Sequence, residues 1–339
     1  MVLVAEKGDD EYVRKSLENV RKLATKNGNE EKVRELKDRR EIERVVGTGG
    51  WSGEWGYINR SSGWADAEAA MKFARRKVEE TGRVQFRTGE AKRLLQRGRK
   101  IVGVELGNDN IIQADLVMLA TGAWTGALVD LRGRAEATGQ VLAYMDITQD
   151  EQDRLEKIPV LLNTSTGLFI IPPRNRLLKV ARHGYGYTNP QRIPHPNRQG
   201  EVINISTPST GGPIPAEGES ACRQALVSML PHLASRPFCK TRICWYTDTP
   251  TGDFIITHHP EYDGLFLATG GSGHAFKFLP VIGEKIVDAM GGRLERELEA
   301  LWAWREGRVE VVVTEDGSRG GRRGMVLGEE MGKGERSRL

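Results

Sequence analysis

The stretch "GGSGHAFK", residues 270–277, joins a predicted strand over residues 265–268 to a helix predicted to begin near Leu279. Its glycines allow backbone N–H groups to approach a ligand closely. The positive end of the following helix favours an anion or an electron-rich ring edge. The pattern is therefore typical of a ligand loop, and equally of a plain turn between a strand and a helix.

Two further side chains near this stretch could do chemistry. Lys277 stands between two phenylalanines, and a lysine among apolar neighbours is unfavourable unless it meets an anion. The alternative is a surface lysine whose stem covers apolar side chains. Cys244 lies in a predicted strand, where a single cysteine is typical of buried packing. Nothing in the sequence around Cys222 or Cys239 indicates a chemical role. Without a C-x-x-C pair, no metal site is expected, and the cysteines indicate a reducing compartment.

A second glycine-rich stretch, "VVGTGGWSGEWG" at residues 45–56, does not have the pattern of a dinucleotide-binding loop. That loop needs a buried strand, then G-x-G-x-x-G, then a helix. Here the spacing is G-x-G-G-x-x-G. The run before it is charged, whereas a central parallel strand is almost wholly apolar. We interpret the stretch as a surface connection, and the fingerprint occurs nowhere else in the chain.

Composition limits the class of protein. The 339 residues are 38% hydrophobic and 28% charged, which predicts a globular protein of roughly two domains. The net charge of +4 argues against a dedicated nucleic-acid-binding protein. No apolar run approaches the ~20 residues of a membrane span, and no secretory signal is visible. We expect neither nucleic acid nor membrane as a partner.

The pattern of elements changes along the chain. Residues 10–46 predict two solvated amphipathic helices, "EYVRKSLENVRKLATKNG" and "EEKVRELKDRREIERV". A helix over "WADAEAAMKFARRKVEETG", a strand over "RVQFRTGEA" and a hairpin turning at residues 108–110 follow. A buried strand over residues 116–120 then runs into "TGAW". Together they predict the second half of a nucleotide-binding α/β domain.

The rest of the chain predicts a second sheet and a return to the first domain. Residues 140–210 contain short β-rich runs separated by Pro, Gly and Asn, which favour an antiparallel sheet. The predicted domains are a partial nucleotide-binding domain over 1–139, a mainly β domain over 140–235, a return over 236–300 and an irregular tail over 301–339. The expected fold class is α/β (α+β).

The motif "CWYTDTPTGDFII", followed by "GGSGHAFKF", resembles the monomeric sarcosine oxidase–amadoriase family of flavoproteins. The similarity extends through "LLKVARHGYGY", "ADLVMLATGAW" and "INRSSGWADAEAAM", and it looks closest to fungal fructosyl-amino-acid and saccharopine oxidases. The resemblance implies a D-amino-acid-oxidase-like FAD-binding domain with an inserted antiparallel substrate domain. The family's first ~90 residues, which carry the βαβ fingerprint, have no counterpart here. The sequence is therefore expected to lack that unit.

The resemblance also implies roles for individual residues. Cys244 matches the cysteine that bonds covalently to the flavin, and Lys277 matches the lysine that holds the substrate carboxylate. Lys179 matches the lysine that promotes reaction with O2, a role assigned in amadoriases to another lysine, and His183 matches an active-site histidine. Arg319, in "GSRGG", matches more weakly a carboxylate-binding arginine. The residues expected to contact FAD through the loops are Ala120, Thr121, Gly122, Gly270, Gly271, Ser272, Gly273 and His274.

The implied reaction is oxidation of a secondary amine of an N-substituted amino acid, with O2 as acceptor and H2O2 as product. Fructosyl-lysine, fructosyl-valine, saccharopine, pipecolate and sarcosine all remain possible substrates, and a monomer is expected. The chain ends in Ser337, Arg338 and Leu339, a variant of the S-K-L address read by the peroxisomal import receptor. Peroxide production makes that destination reasonable, although a basic tail can end in leucine by chance.

Two alternatives belong to other classes. A chain without the first βαβ unit could be an inactive fragment, or a binding protein that uses only its antiparallel sheet. An NAD(P)-dependent dehydrogenase is disfavoured, because the fingerprint is missing and the cysteine motif points to a flavin.

Overall fold

A computed structural model describes the backbone of residues 1–336 and the side chains of residues 1–333. The strands are β1 (Val2–Ala5), β2 (Val33–Leu36), β3 (Trp55–Asn59), β4 (Ala91–Arg97), β5 (Lys100–Leu106), β6 (Ile111–Gln113), β7 (Val117–Leu119), β8 (Glu136–Asp146), β9 (Leu161–Asn163), β10 (Leu168–Arg174), β11 (Leu177–Arg182), β12 (Tyr187–Thr188), β13 (Pro190–Pro194), β14 (Val202–Ser206), β15 (Lys240–Asp248), β16 (Ile255–His258), β17 (Leu265–Thr269) and β18 (Met325–Val326). The α-helices are α1 (Glu11–Lys26), α2 (Arg39–Val46), α3 (Ala67–Glu80), α4 (Gln149–Leu155), α5 (Ala216–Met229), α6 (Leu279–Met290), α7 (Arg296–Trp302) and α8 (Leu327–Arg336).

A ten-stranded sheet organises the site. Its order is β18-β12-β8-β11-β10-β9-β1-β3-β2. Strands β11 and β12 pair with different parts of one edge of β8, and β15 pairs along the opposite edge. Most of these pairs are antiparallel, as predicted for residues 140–210, whereas β1 lies parallel to β9. The long β8 is therefore held between β11 and β15, and those three strands carry most of the chemistry described below.

Alternation along these strands separates an apolar face from a polar face. Val141 and Ala143 of β8, with Val180 of β11, belong to the buried hydrophobic core, which α5 covers. Residues that pair across a sheet share a face, and Lys179 pairs with Tyr144 on β8. Lys179 therefore lies on the face opposite the core, which we call the polar face.

Two small sheets complete the predicted nucleotide-binding part. Strands β4, β5 and β6 form an antiparallel meander, and β5 and β6 form the predicted hairpin. Strands β16, β17 and β7 form a second sheet in which β7 and β17 are parallel. Helix α6 begins at Leu279, as predicted. The fold is the predicted mixed α/β architecture.

Three predicted elements were wrong. Within the second predicted helix, residues 33–36 form strand β2, because they pair with β3 at the edge of the large sheet. Residues 30–32 form a single 3-10 turn, and the α-helix covers only residues 39–46. The run "RVQFRTGEA" is not a strand before Ala91. Within the described residues the tail is irregular between α7 and β18, whereas residues 327–336 form α8.

The pairing of strands also differs from the predicted segments. Strands β1, β2 and β3 extend the large sheet through the β1–β9 pair, so residues 1–59 add to the mainly β part. Strand β18 joins the same sheet through β12. The domain boundaries themselves stay a prediction. No helix within residues 1–336 is both long and apolar enough to cross a membrane.

Candidate active site

Strand β15 supplies a row of polar side chains to the polar face. Cys244 pairs with Gln140, Tyr246 with Thr138, and Asp248 with Glu136. The intervening Trp245 packs against the core. The motif "CWYTD" therefore presents alternate residues to the polar face because a strand has a period of two.

Lys179 and Cys244 come from strands on opposite edges of β8 and lie on this same face. Burial lowers the pKa of Lys179, and Arg242 lowers it further, whereas the nearby Cys244 thiol acts in the opposite direction. The ammonium group lies 5.7 Å from the ring centre of Phe169. Cys244 is a half-buried free thiol. The pair provides a nucleophile beside a cation.

His183 follows β11 and lies on the same face, four residues after Lys179. Its Nδ1 is 3.3 Å from the Tyr246 hydroxyl and 3.1 Å from Arg319 Nη1. Burial lowers the pKa of His183 to about 3, and the charges of Arg319, His274 and Lys277 act in the same direction. The imidazole is therefore neutral at physiological pH.

Arg319 is buried within this cluster, with a side chain only 1% exposed. Its Nη2 donates to Asp248 Oδ1 at 2.5 Å and to the Ser272 carbonyl at 2.8 Å. Asp248 also accepts a hydrogen bond from the Thr138 hydroxyl. Burial raises the pKa of Asp248, while Arg319 and Thr138 act to lower it. The expectation that Arg319 holds a substrate carboxylate is not supported by this geometry, because its charge is already paired inside the protein.

The glycine loop packs directly on β15. The Ser272 N–H donates to the Thr247 carbonyl at 3.0 Å, and the Thr249 N–H donates to the Ser272 hydroxyl at 3.2 Å. A Cβ on Gly273 would lie 2.4 Å from the Tyr246 ring, and Gly273 has φ +70°. Glycine is therefore required there, because its backbone touches the aromatic ring that contacts His183.

Lys277 lies at the exposed edge of the cluster. It forms no ion pair or hydrogen bond with any side chain in the described part of the chain, and its ammonium group lies 5.1 Å from the Phe278 ring centre. The protein around the ammonium group partly shields it from water, which lowers the pKa of Lys277, whereas the charge of Asp316 acts to raise it. Lys277 is therefore the cation of the cluster that is available to an external anion.

The "ATG" turn meets the glycine loop at one edge of the small sheet. Because β7 and β17 are parallel, their carboxyl ends lie together, which is where α/β proteins bind ligands. The Thr125 hydroxyl links the two ends, since it donates to the Gly122 carbonyl at 2.7 Å and lies 3.0 Å from the Thr269 hydroxyl. Ala120 and Gly122 are exposed, and Thr121 is half-buried. The backbone of this turn is thus accessible to a ligand.

Asp248 and Tyr246 are members of the cluster that sequence reasoning did not select. Asp248 pairs with Arg319, and the Tyr246 hydroxyl lies next to His183. The alternation of Cys244, Tyr246 and Asp248 along one strand was the available signal. Across the described residues, no group of three or more His, Cys, Asp or Glu side chains could hold a metal ion.

Comparison with known proteins identifies the family. The sequence profile described as "FAD dependent oxidoreductase" matches residues 1–289. This chain belongs to that family. It is 31% identical to L-saccharopine oxidase of Schizosaccharomyces pombe over 263 residues, which cover 74% of this chain and 60% of that protein. It is 30% identical to the amino acid oxidase fsqB of Aspergillus fumigatus over 281 residues, which cover 68% of this chain and 56% of that protein.

Solved structures agree with this assignment. A fructosyl peptide oxidase superposes with a TM-score of 0.85 at 27% identity, covering 97% of this chain and 78% of that one. Fructosamine oxidase from Aspergillus fumigatus (Amadoriase II) gives a TM-score of 0.77 at 29% identity, covering 87% and 72%. The chain spans about three fifths of the length of the curated relatives it matches.

The residues present fit the flavin side of FAD. The polar face offers a half-buried free thiol at Cys244 and a partly buried cation at Lys179. The loop after β17 approaches Tyr246 so closely that only glycine fits at position 273. Arg319 Nε is buried without a hydrogen-bond partner among the described atoms. This set suits the flat, electron-poor ring of an oxidised flavin better than a metal or a phosphate.

Proposed function

We propose that the protein is an FAD-dependent oxidase of a secondary amine in an N-substituted amino acid, with O2 as acceptor and H2O2 as product. One observation carries the proposal. Lys179, His183 and Cys244 share a single sheet face, next to the glycine loop that holds Lys277. Bound FAD supplies the two-electron chemistry that amine oxidation needs.

We assign the flavin contacts to Cys244 and the two loops. Cys244 would hold the cofactor covalently, because a thiolate is a good nucleophile and this thiol is accessible. The turn of Ala120, Thr121 and Gly122, with the loop of Gly270, Gly271, Ser272, Gly273 and His274, would supply backbone contacts.

Lys277 is proposed to bind the substrate carboxylate. It is the exposed cation of the cluster, whereas Arg319 is neutralised by Asp248. A charge-assisted contact of this type contributes about 1.5–3 kcal/mol. One cation at the mouth of the site favours a substrate with one carboxylate next to the amine.

His183 is proposed to contact the reacting part of the substrate as a neutral imidazole. Because burial lowers its pKa to about 3, His183 is uncharged at neutral pH. Arg319 Nη1 lies 3.1 Å from Nδ1 and 3.2 Å from Nε2. Because Arg319 can only donate hydrogen bonds, the unprotonated nitrogen of the neutral ring is the one that can accept from it. A neutral His183 does not repel a substrate amine, and the amine must lose its own proton before oxidation.

Lys179 is proposed to promote the reaction of the reduced cofactor with O2. A fixed positive charge stabilises the negative charge that develops on oxygen. The lysine has no ion-pair partner among the described residues that would neutralise it. Ser337, Arg338 and Leu339, which lie outside the described residues, are proposed to direct the protein to the peroxisome. One relative is named peroxisomal sarcosine oxidase, from Mus musculus, and is 46% identical over 55 residues.

The test is a screen of H2O2 release by the FAD-loaded protein with fructosyl-lysine, fructosyl-valine, saccharopine, pipecolate and sarcosine. Peroxide formed with one amine, and strongly reduced in Lys277→Met, supports the proposal. The matched control is Lys285→Met, which removes a lysine of α6 that pairs only with Glu295 among the described side chains. Flavin-loaded protein that oxidises none of the five amines would contradict the assignment of substrate class.

A further inference from the structure

Gly320, in the segment between α7 and β18, lies against Gly167 and Gly184, the two glycines near the ends of strands β10 and β11. We call Gly167, Gly184 and Gly320 the glycine junction. A Cβ on Gly320 would lie 2.2 Å from the Gly167 nitrogen and 2.5 Å from the Thr164 carbonyl oxygen. A Cβ on Gly184 would lie 2.7 Å from the Gly320 oxygen. The obstructing atoms belong to the backbone, so no side-chain rotation can make room.

The junction fixes the backbone of both His183 and Arg319. The His183 N–H donates to the Gly167 carbonyl at 2.7 Å, and the Gly320 N–H points to the His183 carbonyl at 3.5 Å. The Tyr185 N–H donates to the Gly320 carbonyl at 3.3 Å. Because Arg319 immediately precedes Gly320, these contacts tie the arginine to the strand end that carries His183.

An ion pair between the buried Arg182 and the half-buried Glu217 supports the junction from the core side. The Cγ of Arg182 would contact a Cβ on Gly167 or Gly184 at 3.3 Å. Its guanidinium donates to both carboxylate oxygens of Glu217 on α5, at 2.6 and 3.0 Å. The junction therefore packs between the polar face and the Arg182 side chain that is bound to helix α5. The surrounding backbone leaves little space for an added methyl group.

We propose that the glycine junction is a positioning device that seats the Arg319 guanidinium between His183 and Asp248. Gly320 and Gly184 are its positioning residues. The segment between α7 and β18 is otherwise irregular, so direct backbone contact replaces the strand ladder that would normally fix such a side chain. The kinetic part of the test rests on the proposed oxidase function, whereas the spectroscopic part does not.

The imidazole of His183 reports on the position of Arg319. The titratable groups facing it are Arg319, Tyr246, His274 and Lys277. Arg319 is the charge closest to the ring, with Nη1 3.1 Å from Nδ1. If the guanidinium moves away, the pKa of His183 rises, because one of the charges that lower it is gone.

The experiment compares Gly320→Ala with the parent and with Gly307→Ala. Gly307 belongs to the same segment, and a Cβ added there would meet nothing within 4 Å, which makes it a matched control. The first measurement is the NMR titration of the His183 ring, and the second is kcat/KM for the oxidised amine. We expect Gly320→Ala to shift the titration upward and to lower kcat/KM about 100-fold. Gly307→Ala should match the parent in both.

An unchanged His183 titration in folded Gly320→Ala would overturn the proposal, whatever happens to turnover. If Gly320→Ala does not fold, the same measurements are made on Gly184→Ala, because a Cβ on residue 184 would meet the Gly320 carbonyl oxygen first. An unchanged His183 titration in folded Gly184→Ala would then overturn the proposal. If the parent protein oxidises no amine, the proposed oxidase function is contradicted, but the NMR titration of His183 still tests the glycine junction.

Discussion

Removing the charge of Arg319 should destabilise the protein in a strongly pH-dependent way. Arg319 and Asp248 have side chains 1% and 4% exposed, and 2.5 Å separates Nη2 from Oδ1. In Arg319→Met the buried carboxylate of Asp248 loses its countercharge, and the Ser272 carbonyl loses a donor. Breaking a buried pair on one side destabilises a protein by about 3–5 kcal/mol. We expect a loss of this size in the free energy of unfolding near neutral pH.

The pH dependence follows from the direction of the pKa of Asp248. Burial already raises it, and loss of Arg319 raises it further. The folded variant then holds the proton more tightly than the unfolded chain, whose carboxyl has its ordinary pKa of 3.8. The part of the destabilisation that comes from the unpaired Asp248 charge is therefore absent below that value, and it grows as the pH rises towards the raised pKa of the folded state.

The assay is urea unfolding followed by tryptophan fluorescence at about pH 4 and about pH 7. The matched control is Arg323→Met in the same segment, where the ion pair with Glu315 is exposed and should contribute little. Adding Asp248→Asn to Arg319→Met should recover part of the loss, because no buried charge then remains. The reasoning is refuted if Arg319→Met loses the same free energy at both pH values, or no more than Arg323→Met.

Three further predictions concern the proposed chemistry. Lys277→Met should raise KM for the amino-acid substrate about 10- to 150-fold, and Lys277→Arg much less; equal KM values in initial-rate assays would exclude the carboxylate role. Lys179→Met should slow reoxidation of the flavin by O2 while leaving anaerobic reduction nearly intact in stopped-flow experiments, and the opposite pattern would show that the role is misassigned. Cys244→Ser should release its flavin on acid precipitation, whereas Cys222→Ser should retain it, as judged by absorbance at about 450 nm; flavin still bound to the peptide in Cys244→Ser would place the link elsewhere.

Much of the candidate site could be predicted from the sequence, because strand periodicity and local motifs depend on residues close together in the chain. The glycines after β17, the start of α6 and the hairpin of β5 and β6 follow from local turn and helix preferences. Lys179 and His183, four residues apart, had to share a face of any strand that contains them. The family resemblance lay in these same stretches, and the family assignment agrees with it.

Other elements depended on partners far away in the chain. Residues 33–36 have charges typical of an exposed helix, yet they form β2 because β3 offers an open edge. No local pattern predicts such pairing, since the energy comes from hydrogen bonds to a strand about twenty residues away. The exposed edge position also explains why the charged side chains are tolerated there.

The sequence by itself determined the fold class, the glycine loop and the faces on which Lys179, His183 and Cys244 lie, because each depends on spacing within one element. Only the tertiary structure showed which groups Arg319 contacts. It lies in an irregular segment, 71 residues after the Asp248 that neutralises it and 136 residues after the His183 that it contacts. Whether an arginine meets a ligand or a buried carboxylate depends on which groups the fold brings within hydrogen-bond distance, and those groups come from strands that the local sequence around Arg319 does not encode.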